Sequence, residues 1–227
     1  MTLFAPLDLA ALAFFVFAWI AYAVLLEWTS QGRRGLNARM HAYRDGWMQE
    51  MLKRDMRMVD GQIMASLQNG TAFFASTSLI AIGGTLTLLR STDDLITVVS
   101  LLPFGIPTTR VQWEIKTVGL AIIFVYAFFK FAWAYRLYNY VAIMIGAMPS
   151  AAEQESAAAK LHAMRTGKLC ESAGRHFNRG QRAFFFALGY LGWFVSPWLL
   201  FATTAAVLAV MWCRQFVSDS RAAIDAD

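Results

Sequence analysis

Charge is the first thing this chain has little of. Only 15% of its 227 residues are Asp, Glu, Lys or Arg, against about 25% in soluble globular chains. Residues of the AVILMFWYC group make up 58%, where roughly 45–50% is usual for a soluble domain. That balance argues against any soluble domain, and against disorder, collagen and coiled coil. Two cysteines, Cys170 and Cys213, cannot build a disulfide framework or a closed zinc site. The chain also lacks G-x-S-x-G, a phosphate-binding P-loop, H-E-x-x-H and carboxylates clustered in an apolar stretch. His41, His162 and His176 fall in polar connections, and the grouping Cys170, Glu171, His176 has neither a zinc nor a haem spacing. No cofactor, no metal and no enzymatic activity are expected.

Long apolar runs are what the chain does have. A helix crosses roughly 30 Å of hydrocarbon with about 20 apolar residues at 1.5 Å each. Four stretches meet that length, at about 7–26, 71–89, 117–135 and 183–212. The expected fold class is therefore all-α: a polytopic membrane protein, a single membrane domain over 1–227, with four transmembrane helices and amphipathic cytoplasmic helices. The first stretch resembles a signal peptide at Ala21-Tyr22-Ala23, but no Lys or Arg precedes it and its core is too long, so it is expected to remain as a span. Pro197 lies inside the fourth stretch, where it should kink the helix and free a carbonyl for a neighbour or water.

Orientation follows from the cations. Seven lie between Arg33 and Arg57 and six between Lys160 and Arg182, whereas Arg90, Arg110, Lys116, Arg214 and Arg221 are all that fall on the other side. The loops at about 27–70 and 136–182 are expected in the cytoplasm, with both termini on the non-cytoplasmic side of a bacterial inner (plasma) membrane. The net charge of +5 and the pI near 9.4 then reflect topology, and no nucleic-acid partner is expected.

Both cytoplasmic loops carry helical patterns. Over 38–60, Met40, Trp47, Met51 and Met58 share a face with Met48, Leu52 and Val59 beside it, which suits the membrane surface, a partner, or the protein's own spans. Over 151–162 a mostly polar helix follows Ser150 and Glu153, placed as in a capping box. Gly167, Gly174 and Gly180 then suggest shorter helical turns. Outside, 92–102 is mildly amphipathic up to Pro103.

Polar residues at membrane depth point to function or to packing. Lys130 is about 9 Å along the helix axis from Arg136, near enough to snorkel to the boundary or else find a buried partner. Trp133, Tyr135, Tyr138 and Tyr140 mark that boundary, where Arg136 could hold an anionic headgroup. Asn69, Ser76 and Gly83 lie along one stripe of the second span, and Gly189, Gly192 and Ser196 along one of the fourth. Such stripes pack helices closely, or line a polar conduit.

Several segments resemble one family in combination: Asn69-Gly70 with Ala72 to Thr77, Tyr126 to Trp133 with Arg136, Tyr138-Asn139-Tyr140, Phe177 to Phe184, and Leu191 to Phe194. Together, over about 7–215, they resemble the domain of unknown function 599 family. The resemblance implies a multi-pass helical membrane protein and no particular activity. It directs attention to Lys130, Arg136, Asn139, Asn178 and Arg182, which could form one basic, amide-rich cluster for a lipid headgroup or a partner's carboxylate, or could simply anchor helix ends. The expected function is a non-enzymatic interaction or accessory subunit, with membrane lipid and a homo-oligomer or membrane-protein partner. The alternatives are a small oligomeric transporter or channel, or a binder of anionic lipid headgroups.

Overall fold

The computed structural model describes residues 3–102, 106–218 and 223. Among them there is no strand. The helices are α1 (Pro6–Trp28), α2 (Leu36–Leu52), α3 (Met58–Arg90), α4 (Thr92–Ser100), α5 (Arg110–Gly146), α6 (Ala157–Tyr190), α7 (Gly192–Val195) and α8 (Pro197–Trp212). A π-helical turn, Cys213–Val217, continues α8. Four helices are long and apolar enough to cross a membrane: Pro6–Trp28, Met58–Arg90, Arg110–Gly146 and Pro197–Val217. This is a membrane protein. Pro103, at the end of the amphipathic segment 92–102, lies outside the described residues.

By its contacts the chain falls into two compact units. The first comprises Met1–Leu36, Ser78–Tyr126 and Arg182–Asp227, the second Asn37–Thr77 and Ala127–Gln181. Helices α3, α5 and α6 contribute residues to both.

In the first unit, α1 is apolar all round, and a heptad-like step decides which residues turn inward. Ala11, Phe15, Ala18 and Tyr22 are buried, at spacings of four, three and four that keep them on one face. Phe15 meets the edges of Phe186 and Tyr190, and Trp19 stacks on Phe186 at 5.2 Å. Tyr22 donates its hydroxyl to the Met211 carbonyl at 3.0 Å, tying α1 to the end of α8. The opposite face of α1, including Phe17 and Ile20, is exposed, as lipid-facing residues are in an isolated chain.

The stretch 183–212 is not one kinked helix. Helix α6 ends at Tyr190, a single turn forms α7, and Ser196 is fully extended (φ −162°, ψ 157°) before α8 starts at Pro197. Proline at the first helical position loses only an N–H that a helix start leaves unbonded anyway. The Ser196 hydroxyl accepts from the Leu199 N–H at 3.1 Å and caps α8.

In the second unit the core is rich in methionine. Met48, Met51 and Leu52 of α2, Met64 of α3, Tyr138, Val141 and Ile145 of α5 and Ala163, Cys170 and Ala173 of α6 form one buried cluster. The apolar face of α2 therefore packs on the protein's own helices. Each such methionine contributes about 1.5–3 kcal/mol relative to exposure in water. The amphipathic pattern over 38–60 is not one helix either. It is broken between Leu52 and Met58, where Arg57 turns back and donates to the carbonyls of Met148 (2.7 Å) and Pro149.

Helix α6 corrects two further expectations. Ser150 and Glu153 do not cap a long helix: Ser150 precedes, and Glu153 ends, a short 3-10 turn, Ala151–Glu153. It is Ser156 that caps α6, accepting from the Ala159 N–H at 3.1 Å. Gly167, Gly174 and Gly180 do not divide the helix, which runs unbroken through all three. A Cβ on Gly167 would lie 2.7 Å from Asp45 Oδ1, one on Gly174 2.6 Å from an Arg44 nitrogen, and one on Gly180 2.7–2.9 Å from the Phe131 ring. These glycines permit close approach of α2 and α5 at a helix-propensity cost of roughly 1 kcal/mol each. Phe131 is fully buried and held between Phe74 and Phe177, so it cannot swing away. Gly180→Ala is expected to destabilise the protein by about 1–3 kcal/mol through overpacking, read as a lower thermal midpoint in detergent. An unchanged midpoint would show that Phe131 can yield.

Candidate functional site

The most concentrated polar chemistry of the first unit gathers around the helix break. In an unbroken helix the N–H of residue 197 would bond the carbonyl of residue 193, but proline has none to give. Lys116, on the second turn of α5, supplies the missing donor: its Nζ donates to the Trp193 carbonyl at 2.8 Å. The side chain is buried, with only 4% exposure. Asp8, in the first turn of α1, accepts from Trp193 Nε1 at 2.8 Å and stands 4.0 Å from Lys116 Nζ. The ammonium also lies 5.2 Å from the Trp193 ring centre. A carboxylate at the start of a helix is further favoured by the helix dipole. Charge, carbonyl and indole thus neutralise one another.

In the sequence Lys116 reads as an external loop cation, because the apolar run starts one residue later. The structure buries it. The only hint in the sequence is Pro197, which implies an orphan carbonyl four residues earlier without saying what meets it.

Arg182 is buried as well, 8% exposed, and pairs with Glu27 at the end of α1. It belongs to the first unit. Lys130, Arg136, Asn139 and Asn178 belong to the second. There Asn139 Oδ1 accepts from Gln68 Nε2 at 2.7 Å, so this amide joins α5 to α3. Arg136 is exposed; its Nε donates to the Tyr140 hydroxyl at 2.7 Å. Lys130 and Asn178 are half-buried, and Lys130 has a partner of its own. Phe131 against Gly180 and Phe177 sets α5 against α6 at the level of Asn178.

The two small-residue stripes behave differently. Gly189 and Gly192 pack against α8: a Cβ on Gly192 would meet Thr203 Oγ1 at 2.5 Å, and Thr203 donates to the Gly189 carbonyl at 2.6 Å. Ser196 is the α8 cap described above. Asn69, Ser76 and Gly83 are exposed, and a Cβ on Gly83 would meet nothing within 4 Å.

Two features of the second unit escaped sequence reasoning. Asp60 is wholly buried and accepts from Trp47 Nε1 (2.6 Å) and Arg54 (3.1 Å). His41 Nδ1 lies 3.3 Å from an Arg44 nitrogen and 3.9 Å from Glu171. Arginine can only donate, so that ring nitrogen is an acceptor and the imidazole is neutral. Burial first, and then Arg44, lowers the His41 pKa below its ordinary 6.5. Burial likewise pushes the Cys170 thiol up to about 11, which makes it a poor nucleophile. A cavity of about 400 Å³ is lined by Gln49, Leu52, Lys53, Gln154, Glu155, Lys160, Ala163 and Met164. Its lysines are engaged: Lys53 with Glu50 and Lys160 with Glu155, each at 2.6 Å. Among the described residues no three His, Cys, Asp or Glu side chains gather as metal ligands do.

A family profile described as "Protein of unknown function, DUF599" matches residues 10–220. The chain belongs to the DUF599 family. No match was found among curated proteins or solved structures. The Lys116 anchor, the Arg182–Glu27 pair and the Arg136 side chain of this DUF599 protein all lie within the matched residues.

Two outcomes follow from these contacts. Lys116→Met in the DUF599 protein strands both the Trp193 carbonyl and the Asp8 carboxylate. It is expected to cost about 3–5 kcal/mol, with Asp8→Asn in the same chain recovering part of the thermal midpoint; no loss in the single variant would refute the anchor. His41 binds its proton less readily folded than unfolded, so its contribution is present above pH 6.5 and is lost as pH falls toward its lowered folded value. Stability measured between pH 7 and pH 5 should fall less steeply in His41→Gln.

Proposed function

We propose that this protein is a non-enzymatic four-span membrane protein that works as an interaction or accessory subunit, and that α3 is the helix that receives its partner. One observation carries the reading: Asn69, Ser76, Gly83 and Thr87 are exposed along the stripe of α3, with open space over Gly83. Lipid tails are as apolar as leucine, so helices associate in a bilayer through close packing and interhelical hydrogen bonds, which small and polar residues favour. A stripe of this kind facing outward suits a second helix, from another copy or from a different membrane protein. The absence of catalytic work fits the fate of the buried ionisable groups. Lys116, Arg182 and Asp60 are each engaged by partners within the protein. The charge asymmetry supports an orientation with both basic connections in the cytoplasm and both termini outside.

A second reading, a small oligomeric transporter or channel, draws on the break at residues 191–196 beside a buried lysine. Interrupted spans with nearby charge are where transporters bind their substrates.

Single cysteines at positions 76 and 83 of a Cys170→Ala, Cys213→Ala background test the first reading. Oxidative or bifunctional cross-linking in native membranes should give a discrete adduct, lost on adding Asn69→Leu and Thr87→Leu. A chain that stays monomeric at both positions, with no adduct of any mass, would end it. Flux of small ions through reconstituted vesicles, abolished by Lys116→Met, would favour the second reading instead.

A further inference from the structure

Helix α5 turns a second stripe outward. Phe129, Trp133, Arg136 and Tyr140 are all exposed, and steps of four, three and four residues keep them on one face. The arginine in this row is held in place. Its Nε donates to the Tyr140 hydroxyl at 2.7 Å, and its Cζ lies 5.9 Å from the Trp133 ring centre and 5.6 Å from that of Tyr140. Cation–π attraction to both rings orients the guanidinium. These contacts use the rings and Nε. Among the described residues Nη1 and Nη2 have no protein acceptor, and Arg136 makes no ion pair.

A planar fork with its terminal donors unused matches a pair of phosphate oxygens, and forming that contact loses little side-chain freedom. What adjoins the fork selects the source of the phosphate. Phe129 and Trp133 continue the same exposed face as an apolar track, on one of the four helices long and apolar enough to span the bilayer. Tryptophan and tyrosine collect at the level of lipid headgroups. Inorganic phosphate or an acidic peptide would use the fork and leave the track bare, whereas a phospholipid uses both.

We propose that Arg136, held between Trp133 and Tyr140, binds the phosphodiester of an anionic membrane phospholipid whose acyl chains lie along Phe129. The site rests on the protein's being in a membrane and is independent of the α3 interface.

Native mass spectrometry of the full chain, released from mixed micelles holding equal phosphatidylglycerol and phosphatidylcholine, tests it. The wild-type protein should retain phosphatidylglycerol preferentially. Arg136→Ala should lower that retention about tenfold, as expected for losing charge-assisted hydrogen bonds. Arg136→Lys, which keeps the charge but loses the fork, should fall between them, and Arg165→Ala, at an exposed position on α6, should match the wild type. Equal retention of the two lipids, undiminished retention in Arg136→Ala, or displacement of the lipid by millimolar inorganic phosphate would overturn the proposal. Should Arg136→Ala not fold, Arg136→Lys and Tyr140→Phe decide: lower retention in both supports the site, and wild-type retention in both refutes it. Cross-linking at positions 76 and 83, run on the same variants, separates a failure here from a failure of the α3 reading.

Discussion

A helix in a bilayer cannot leave a carbonyl unbonded, and Pro197 leaves one. Everything around residues 191–196 answers that constraint. Lys116 reaches the Trp193 carbonyl, Asp8 balances the ammonium and takes the indole N–H, and Ser196 restarts the helix with its own hydroxyl. The outcome couples α1, α5 and α7 through one polar cluster. Without the proline the Trp193 carbonyl would be bonded within its own helix, and the buried lysine would keep only Asp8, 4.0 Å away, to offset its desolvation. The proline would be equally costly without the lysine, since an unpartnered carbonyl in an apolar setting loses several kcal/mol.

Much of the architecture is legible from the sequence, because the signals that set it are long and repetitive. The apolar runs of α1, α3, α5 and α8 are the strongest signals in the chain, so four spans and an all-helical fold can be read directly. The limit falls where one residue type has two physical uses. Gly167, Gly174 and Gly180 look like breaks because glycine permits turns, yet here it makes room for Arg44, Asp45 and Phe131. Only the neighbouring helix distinguishes the two. Lys116 and Arg182 look like loop cations because each sits within a residue of where an apolar run begins; whether such a side chain turns out to water or in to a partner depends on Trp193 and Glu27, more than 70 residues away in both cases.

The sites divide along the same line. Arg136 with Trp133 and Tyr140 is legible, since residues three and four apart on a helix must be neighbours and the whole arrangement lies on α5. Asn139 is visible as a polar residue at a boundary, but its partner Gln68 comes from α3, 71 residues earlier in the chain. The buried Asp60 is the hardest to anticipate. It follows a break in the amphipathic pattern, and its partners Trp47 and Arg54 lie before that break and within it.

The face of α6 built from Ala159, Ala163, Gly167, Ala173 and Gly174 has one more effect. Alanine and glycine have no rotamers to lose, so ordering that face on folding sacrifices almost no side-chain entropy, while larger residues would surrender up to about 2 kcal/mol apiece. A surface so smooth gains correspondingly little from interlocking. The specificity of its register must then reside in the bulky groups laid against it, such as Met48, which lies over Gly167.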